Sequence, residues 1–322
     1  MDLASIQALV KADFDKVNSL IAHCLHSDIP LIPKLAKHLI DSGGKRLRPL
    51  IVLLSASACN YQGQAHLPLA ATLELIHTAT LLHDDVIDSS MLRRGKKTAN
   101  SLWGNSASIL VGDLLYSRAF QLMVQVNNRR VLQSLADATN TLAQSEILQL
   151  VNCHNPDLDQ PHYLKIIEGK TGILFSVAAQ QAAILAERSE IEVTAISNYG
   201  LHLGIAFQLI DDTLDYTGST NRTGKTKGDD LAEGKTTLPL IHALQHADKK
   251  QAHVIRDAIV KGKRESLDAV IDVIKSTHAI DYTYNCAAEH VEKAKVNLQA
   301  IPASSWRQAL AALAEFAITR HH

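Results

Sequence analysis

Aromatic residues make up only 4% of this chain, and cysteine supplies only 4 of its 322 residues. Cys24, Cys59, Cys153 and Cys286 are isolated, with no C-x-x-C pair. That argues against a disulfide framework and a zinc site, and fits a reducing cytoplasmic setting. Neither sign of charge is in excess: 32 Lys and Arg face 33 Asp and Glu, so no nucleic-acid partner is expected. Strand-like alternation is scarce, and no repeat of solenoid period or low-complexity linker is present. Apolar runs such as 49–59 are too short or too interrupted to span a bilayer, so no transmembrane segment is expected. No basic stretch followed by an apolar core and a small-residue cleavage site opens the chain, so no signal peptide is expected. The closing His321-His322 fits a native end or a tag remnant equally.

What the chain does have is helical periodicity, carried by 46% hydrophobic residues. Apolar residues recur at three- and four-residue spacing over 3–26, 30–41, 46–60, 65–90, 106–126, 129–152, 160–187 and 190–217. After a polar, glycine-rich stretch the pattern resumes over 236–246, 250–261, 265–277, 280–299 and 303–319. Pro30, Pro33, Gly63, Gly95, Asn155-Pro156, Gly218 and Pro302 punctuate it. The expectation is one all-α domain over 1–322. Segments apolar over most of their circumference, such as 67–82, belong in the middle of a bundle.

Two aspartate clusters stand out, Asp84-Asp85-Val86-Ile87-Asp88 and Asp211-Asp212-Thr213-Leu214-Asp215. Each reads D-D-x-x-D, so its first and last carboxylates stack one turn apart on a helix face. Two such helices facing each other would concentrate six carboxylates, which repel unless cations sit between them. Hard oxygen ligands suit Mg²⁺, which completes its shell with water and substrate phosphates.

Basic groups lie near these clusters. Gly43-Gly44-Lys45-Arg46-Leu47-Arg48-Pro49 joins two helical patterns, and amides at a helix start beside cations form an anion site. The plain alternative is a glycine cap before a solvated helix. Arg93-Arg94-Gly95 follows the first cluster, where arginine forks would match a diphosphate. The stretches from Gly218 to Thr226 and from Gly228 to Thr236 miss the phosphate-loop spacing by one residue and follow no strand, which excludes a P-loop. The loop 217–235 is long and charged, as lids and binding loops often are. Among the sixteen histidines His77 stands out, two turns before Asp84 on nearly the same face.

Five motifs in order, GGKRLRP, HDDVIDSSMLRRG, GKT, FQLIDDTLD and GKTKGDDLAEGKTTLP, resemble the trans-isoprenyl diphosphate synthases. Length and flanking sequence look most like the bacterial octaprenyl branch, whose product supplies quinone side chains. The resemblance implies a bundle of mostly antiparallel helices around a deep central cavity, paired as a homodimer. It implies a prenyltransferase that adds isopentenyl diphosphate head-to-tail to an allylic diphosphate such as farnesyl diphosphate. At most a transient membrane contact accompanies product release.

By the same resemblance Asp84, Asp85, Asp88, Asp211, Asp212 and Asp215 bind Mg²⁺, three ions with substrate present. Lys45, Arg48, His77 and Arg94 match the isopentenyl diphosphate site. Arg93, Lys170, Thr171, Gln208, Lys225 and Lys235 match the allylic side, with Thr171 and Gln208 placed to steady a carbocation. The released pyrophosphate takes the proton, so Lys170, Thr171, Gln208 and Lys235 carry the catalytic roles and no protein base is assigned.

Product length depends on cavity depth. Thr80, Ala79, Ile76 and Leu73 face the same direction before Asp84, and small residues at the first two positions imply an open tunnel. Phe120 or Met123 is expected to form part of its floor. Three rival readings fit less well. A class I terpene cyclase would carry N-D-x-x-S-x-x-x-E as its second motif. A non-catalytic partner subunit would lose aspartates, and a Ca²⁺-binding helical protein would show EF-hand spacing. A shorter-chain synthase is the nearest alternative.

Overall fold

The computed structural model describes residues 1–41, 44–93, 95–218, 227–262 and 264–319. Arg94, Lys225, Gly43 and the terminal His321-His322 lie outside the described residues. The chain runs α1 (Leu3–Ala8), α2 (Lys11–Cys24), α3 (Leu31–Asp41), α4 (Leu47–Ala58) and α5 (His66–Ile87). A two-stranded hairpin follows, β1 (Leu92–Arg93) and β2 (Lys96–Lys97), then α6 (Ala99–Trp103), α7 (Asn105–Gln125), α8 (Arg129–Val151) and α9 (Gln160–Ile167). Next come α10 (Ile173–Leu185), α11 (Glu190–Thr217) and the short α12 (Asp229–Ala232). The last helices are α13 (Leu238–His246), α14 (Lys249–Lys261), α15 (Leu267–Ser276), α16 (Ala279–Asn297) and α17 (Ser305–Thr319).

Local chemistry sets these boundaries. Asn128 accepts hydrogen bonds from Arg130 N and Val131 N at the start of α8, and Ser189 with Glu192 forms a capping box on α11. Gly262, at φ 58°, ends α14 in the left-handed conformation that favours glycine. The continuous helix expected over 3–26 breaks at Leu9 and Val10. The hairpin at 92–97 and α6 were not anticipated, because two-residue strands carry no readable periodicity.

α4, α10 and α11 form the interior. α4 buries Leu47 and nearly every residue from Pro49 to Ala58, and α10 buries most of 174–184. The scarcity of aromatics has a packing counterpart here, because small side chains let helices approach closely. A Cβ on Gly204 would lie 2.7 Å from Gly172 Cα, so α11 crosses the start of α10 backbone against backbone. α7 packs along α5, while α8 packs on α9, α10 and the turn between them. One hydrophobic cluster fills this bundle, and a smaller one around Leu231, Leu240, Ile255, Ile259 and Val270 joins α12 to α15.

Two helices, α7 and α11, are long and apolar enough by length and composition to cross a membrane. The reading of apolar runs as too short or interrupted therefore fails for these two segments. α11 is packed between α10 and α16 and carries three aspartates, as a core helix would.

Candidate active site

α5 and α11 carry the two aspartate motifs to a shared cavity of about 1160 Å³. Lys45, Arg48, His77, Arg93, Lys170, Gln208 and Lys235 also border it. The first motif closes α5: Asp84 and Asp85 are in the last turn, and Asp88 is the C-cap residue. The hairpin folds Arg93 back so that its Nε and Nη2 lie 2.9 and 2.8 Å from Asp85 Oδ1. Burial raises the Asp84 carboxyl above the usual range; nearby Lys170 opposes this, and Asp88 reinforces it.

Lys235 reaches the first motif from the far side of the site. Its Nζ lies 3.0 Å from Asp88 Oδ2 and 2.5 Å from Glu233 Oε2. Burial alone would lower its pKa, but Asp88, Glu233 and Asp230 outweigh burial and hold the ammonium above its ordinary value. Its backbone is fixed by Gly234, at φ 71°, and by the hydrogen bond from Lys235 N to Asp230 O at 2.8 Å. His154 N donates to Gly234 O, pinning this segment to the end of α8.

Lys170 and Thr171 do not sit in an ordinary helix. Residues Glu168–Gly172 form a π-turn between α9 and α10, a geometry frequent at functional sites. The Lys170 ammonium donates to Glu146 and Gln149 of α8, and Asp84 is 4.0 Å away. Thr171 Oγ1 donates to Gln208 Oε1 at 2.8 Å, and Gln208 Nε2 donates to Asp212 Oδ1 at 2.8 Å. Tyr163 from α9 donates to the other Asp212 oxygen. Burial, with Asp230 next in weight, raises the Asp212 carboxyl, and the Tyr163 and Gln208 hydrogen bonds oppose that rise.

Asp215 anchors the polar segment. Its oxygens accept from Asp229 N at 3.1 Å and Asp230 N at 3.3 Å, at the start of α12. The six aspartates therefore divide. Asp85 and Asp212 are buried, Asp84, Asp88 and Asp215 are half-buried and Asp211 is exposed, while Asp85, Asp88, Asp212 and Asp215 each accept a hydrogen bond from a protein donor. Among the described residues, no three His, Cys, Asp or Glu side chains converge tightly enough to hold a metal alone. The carboxylates of the two motifs thus form no tight cage by themselves among the described residues, and instead border one larger cavity. A donor set made wholly of carboxylate oxygens, completed by substrate oxygens, still fits a hard divalent cation.

At the start of α4, Arg48 lies over the Phe175 ring, its Cζ 4.7 Å from the centroid. Burial lowers its pKa to about 10, and Glu74 opposes the shift. Its Nε is buried without a hydrogen-bond partner among the described residues, a donor suited to an incoming anion. The exposed Lys45 lies 4.8 Å over the Phe316 ring of α17.

The chain-length residues scatter. Along α5 the cavity wall runs through Glu74, His77, Thr78, Thr80, Leu81, Asp85 and Asp88. Of the expected stripe Thr80 borders it, while Leu73, Ile76 and Ala79 are fully buried outside its lining. Phe120 is 45% exposed on α7 beside Tyr116, so it is not a floor within this chain. Met123 is buried in the core and does not border the cavity either. The wall follows Asp85 and Asp88 rather than Asp84, which turns the lining stripe of α5 away from Leu73, Ile76 and Ala79. The sequence reading missed Glu146, Gln149, Tyr163 and Glu233. Only the glycines flanking Lys170-Thr171 hinted at close packing there.

Residues 29–276 match the family model for polyprenyl synthetase. The chain is 46% identical to the octaprenyl diphosphate synthase of Haemophilus influenzae, over 100% of this chain and 98% of that protein. It is also 46% identical to the octaprenyl diphosphate synthase of Escherichia coli, over 99% of each. A polyprenyl synthase from Caulobacter crescentus, solved with calcium and isoprenyl diphosphate, superposes with a TM-score of 0.96 at 43% identity, covering 100% of this chain and 98% of the other. Match and site agree, and the chain belongs to the polyprenyl synthetase family.

Proposed function

We propose that this chain is a long-chain all-trans polyprenyl diphosphate synthase, of the octaprenyl class, that elongates farnesyl diphosphate with isopentenyl diphosphate for quinone side chains. The observation that carries this reading is the cavity bordered by both aspartate motifs and by cations from several elements, among them Lys45, Arg48, Arg93, Lys170 and Lys235. Asp84, Asp85, Asp88, Asp211, Asp212 and Asp215 are the groups that would hold Mg²⁺, and all but Asp84 border the cavity. Mg²⁺, three ions with substrate bound, would supply Lewis-acid stabilisation of the leaving diphosphate.

The chain's own groups do the rest. Arg93, Lys170 and Lys235 bind the allylic diphosphate, together with Lys225. Lys45, Arg48, His77 and Arg94 bind isopentenyl diphosphate. The allylic C–O bond breaks, and the isopentenyl double bond attacks the allylic carbon to form the new C–C bond. A proton then leaves to the released pyrophosphate. The Thr171 and Gln208 oxygens, hydrogen-bonded to each other at the cavity wall, are the groups assigned to steady positive charge. Leu81, Leu115, Leu174 and Phe175 give the cavity an apolar wall that keeps water from the cation.

Exposed Ile109, Leu110, Phe120 and Val124 on α7, and Ile147, Leu150 and Val151 on α8, leave each helix an apolar stripe, which supports pairing with a second copy. Four free cysteines support a reducing, cytoplasmic location, with a membrane touched only when the tail is released. The test is incubation with labelled isopentenyl diphosphate, farnesyl diphosphate and Mg²⁺, with products sized by mass. Chains of about eight isoprene units are expected on the resemblance to octaprenyl synthases; no elongation, or a cyclised hydrocarbon, overturns the assignment.

A further inference from the structure

Glu146 and Gln149 lie one turn apart on α8 and present two acceptors to the same ammonium. Lys170 Nζ is 2.7 Å from Glu146 Oε2 and 2.6 Å from Gln149 Oε1. An ammonium has three N–H donors, so two are committed to α8 and one remains for a ligand. A lysine side chain has among the largest rotamer freedoms of any residue, and these contacts remove much of it before substrate arrives.

The surrounding backbone keeps this geometry close. A Cβ on Gly169 would lie 1.8 Å from Ser145 Oγ, so the π-turn and α8 meet with room for glycine alone. The Glu146 and Lys170 side chains are only 21% and 22% exposed, which shields the pair from competing water. Asp84, on the other side of Lys170 at 4.0 Å, is a looser partner than either α8 residue.

We infer that Glu146 and Gln149 are positioning residues that hold the Lys170 ammonium in place for the allylic diphosphate. The inference rests on the assignment of Lys170 to that substrate. Gln149 borders the cavity while Glu146 does not, so Glu146 acts through Lys170 alone and the cost of its loss falls on one substrate only.

The experiment compares Glu146→Leu, Glu146→Gln, Lys170→Met and the Glu146→Leu/Lys170→Met double variant. KM for each substrate and kcat are measured, with calorimetric binding of inorganic pyrophosphate in Mg²⁺ as the readout without turnover. Glu146→Leu is expected to weaken the allylic KM and pyrophosphate binding about tenfold, the usual scale for a hydrogen bond to a charged group. KM for isopentenyl diphosphate should stay within about twofold, and Glu146→Gln, which keeps an acceptor, should recover most of the loss. In the Lys170→Met background the Glu146→Leu effect should largely vanish.

Additive losses in the double variant, or equal losses for both substrates, overturn positioning through Lys170. A loss in Glu146→Gln as large as in Glu146→Leu overturns it in favour of a charge requirement at Glu146 itself. If Lys170→Met leaves allylic and pyrophosphate binding unchanged, the assignment of Lys170 fails, and the inference with it.

Discussion

Lys235 Nζ sits 3.0 Å from Asp88 Oδ2, joining the end of the helix that bears the first aspartate motif to the segment that follows the second. The two residues are 147 positions apart in sequence. The same ammonium also pairs with Glu233, so one side chain compensates two carboxylates.

Lys235→Met should therefore expose repulsion between Asp88, Glu233 and Asp230. The metal-free variant is expected to lose on the order of 3 kcal/mol, the scale for breaking one side of a shielded ion pair. Thermal denaturation with and without Mg²⁺ checks this. Mg²⁺ should raise the variant's Tm more than it raises that of the parent, and an equal rise in both contradicts the idea.

Product length should respond to the wall and not to the outer face. Thr80→Phe places an aromatic ring against the cavity and is expected to shorten the product by one or more isoprene units, read by mass spectrometry. Phe120→Ala is expected to leave product length unchanged while weakening self-association, read by sedimentation, because that ring is solvent-facing in a single chain.

Gly204→Ala should be costly for its size. The added methyl would meet Gly172 Cα at 2.7 Å, and backbone cannot swing aside as a side-chain tip can. A loss of about 1–3 kcal/mol in urea denaturation is expected from overpacking. The displaced π-turn should also lower kcat, because Lys170 and Thr171 ride on it.

His290 gives stability a mild acid dependence. Burial, then His202 and Lys293, push its pKa down from 6.5 to about 4. Above the unfolded value both states are neutral and its contribution is constant. As pH falls from 6.5 towards 4 the unfolded chain takes up a proton that the folded one resists, so stability is lost across that window. His290→Gln should flatten the slope of Tm against pH there; an unchanged slope counts against the shift.

These cases show what the sequence could reveal. Aspartates four apart declare their chemistry by type and spacing, so Asp84, Asp88 and Asp211 stand out from the residues alone, whereas Arg48 and Lys235 were indicated only by the family resemblance. Helix limits were legible to within a few residues because caps and breakers act locally. Tyr163, Glu146 and Gln149 were not legible: each is a polar residue in a helical pattern, and its partner is set by helices packing over 21 to 49 positions of sequence. The cavity wall on α5 was misjudged for a related reason. Which stripe of an almost wholly apolar helix meets a cavity is decided by its neighbours, not by its own period.

The π-turn at Glu168–Gly172 makes the site sensitive to residue count as well as residue type. A π-turn holds one residue more than the α-helical ring it replaces, and one residue corresponds to about 100° of rotation about a helix axis. Deleting a single residue there would let α9 and α10 fuse into one regular helix with the same number of hydrogen-bonded turns. Tyr163 on one side and Phe175 on the other would then be rotated out of phase, so that Asp212 and Arg48 could not both keep their partners. The length of this segment, to the residue, is thus what keeps the contacts of Asp212 and Arg48 in phase on the two sides of the cavity.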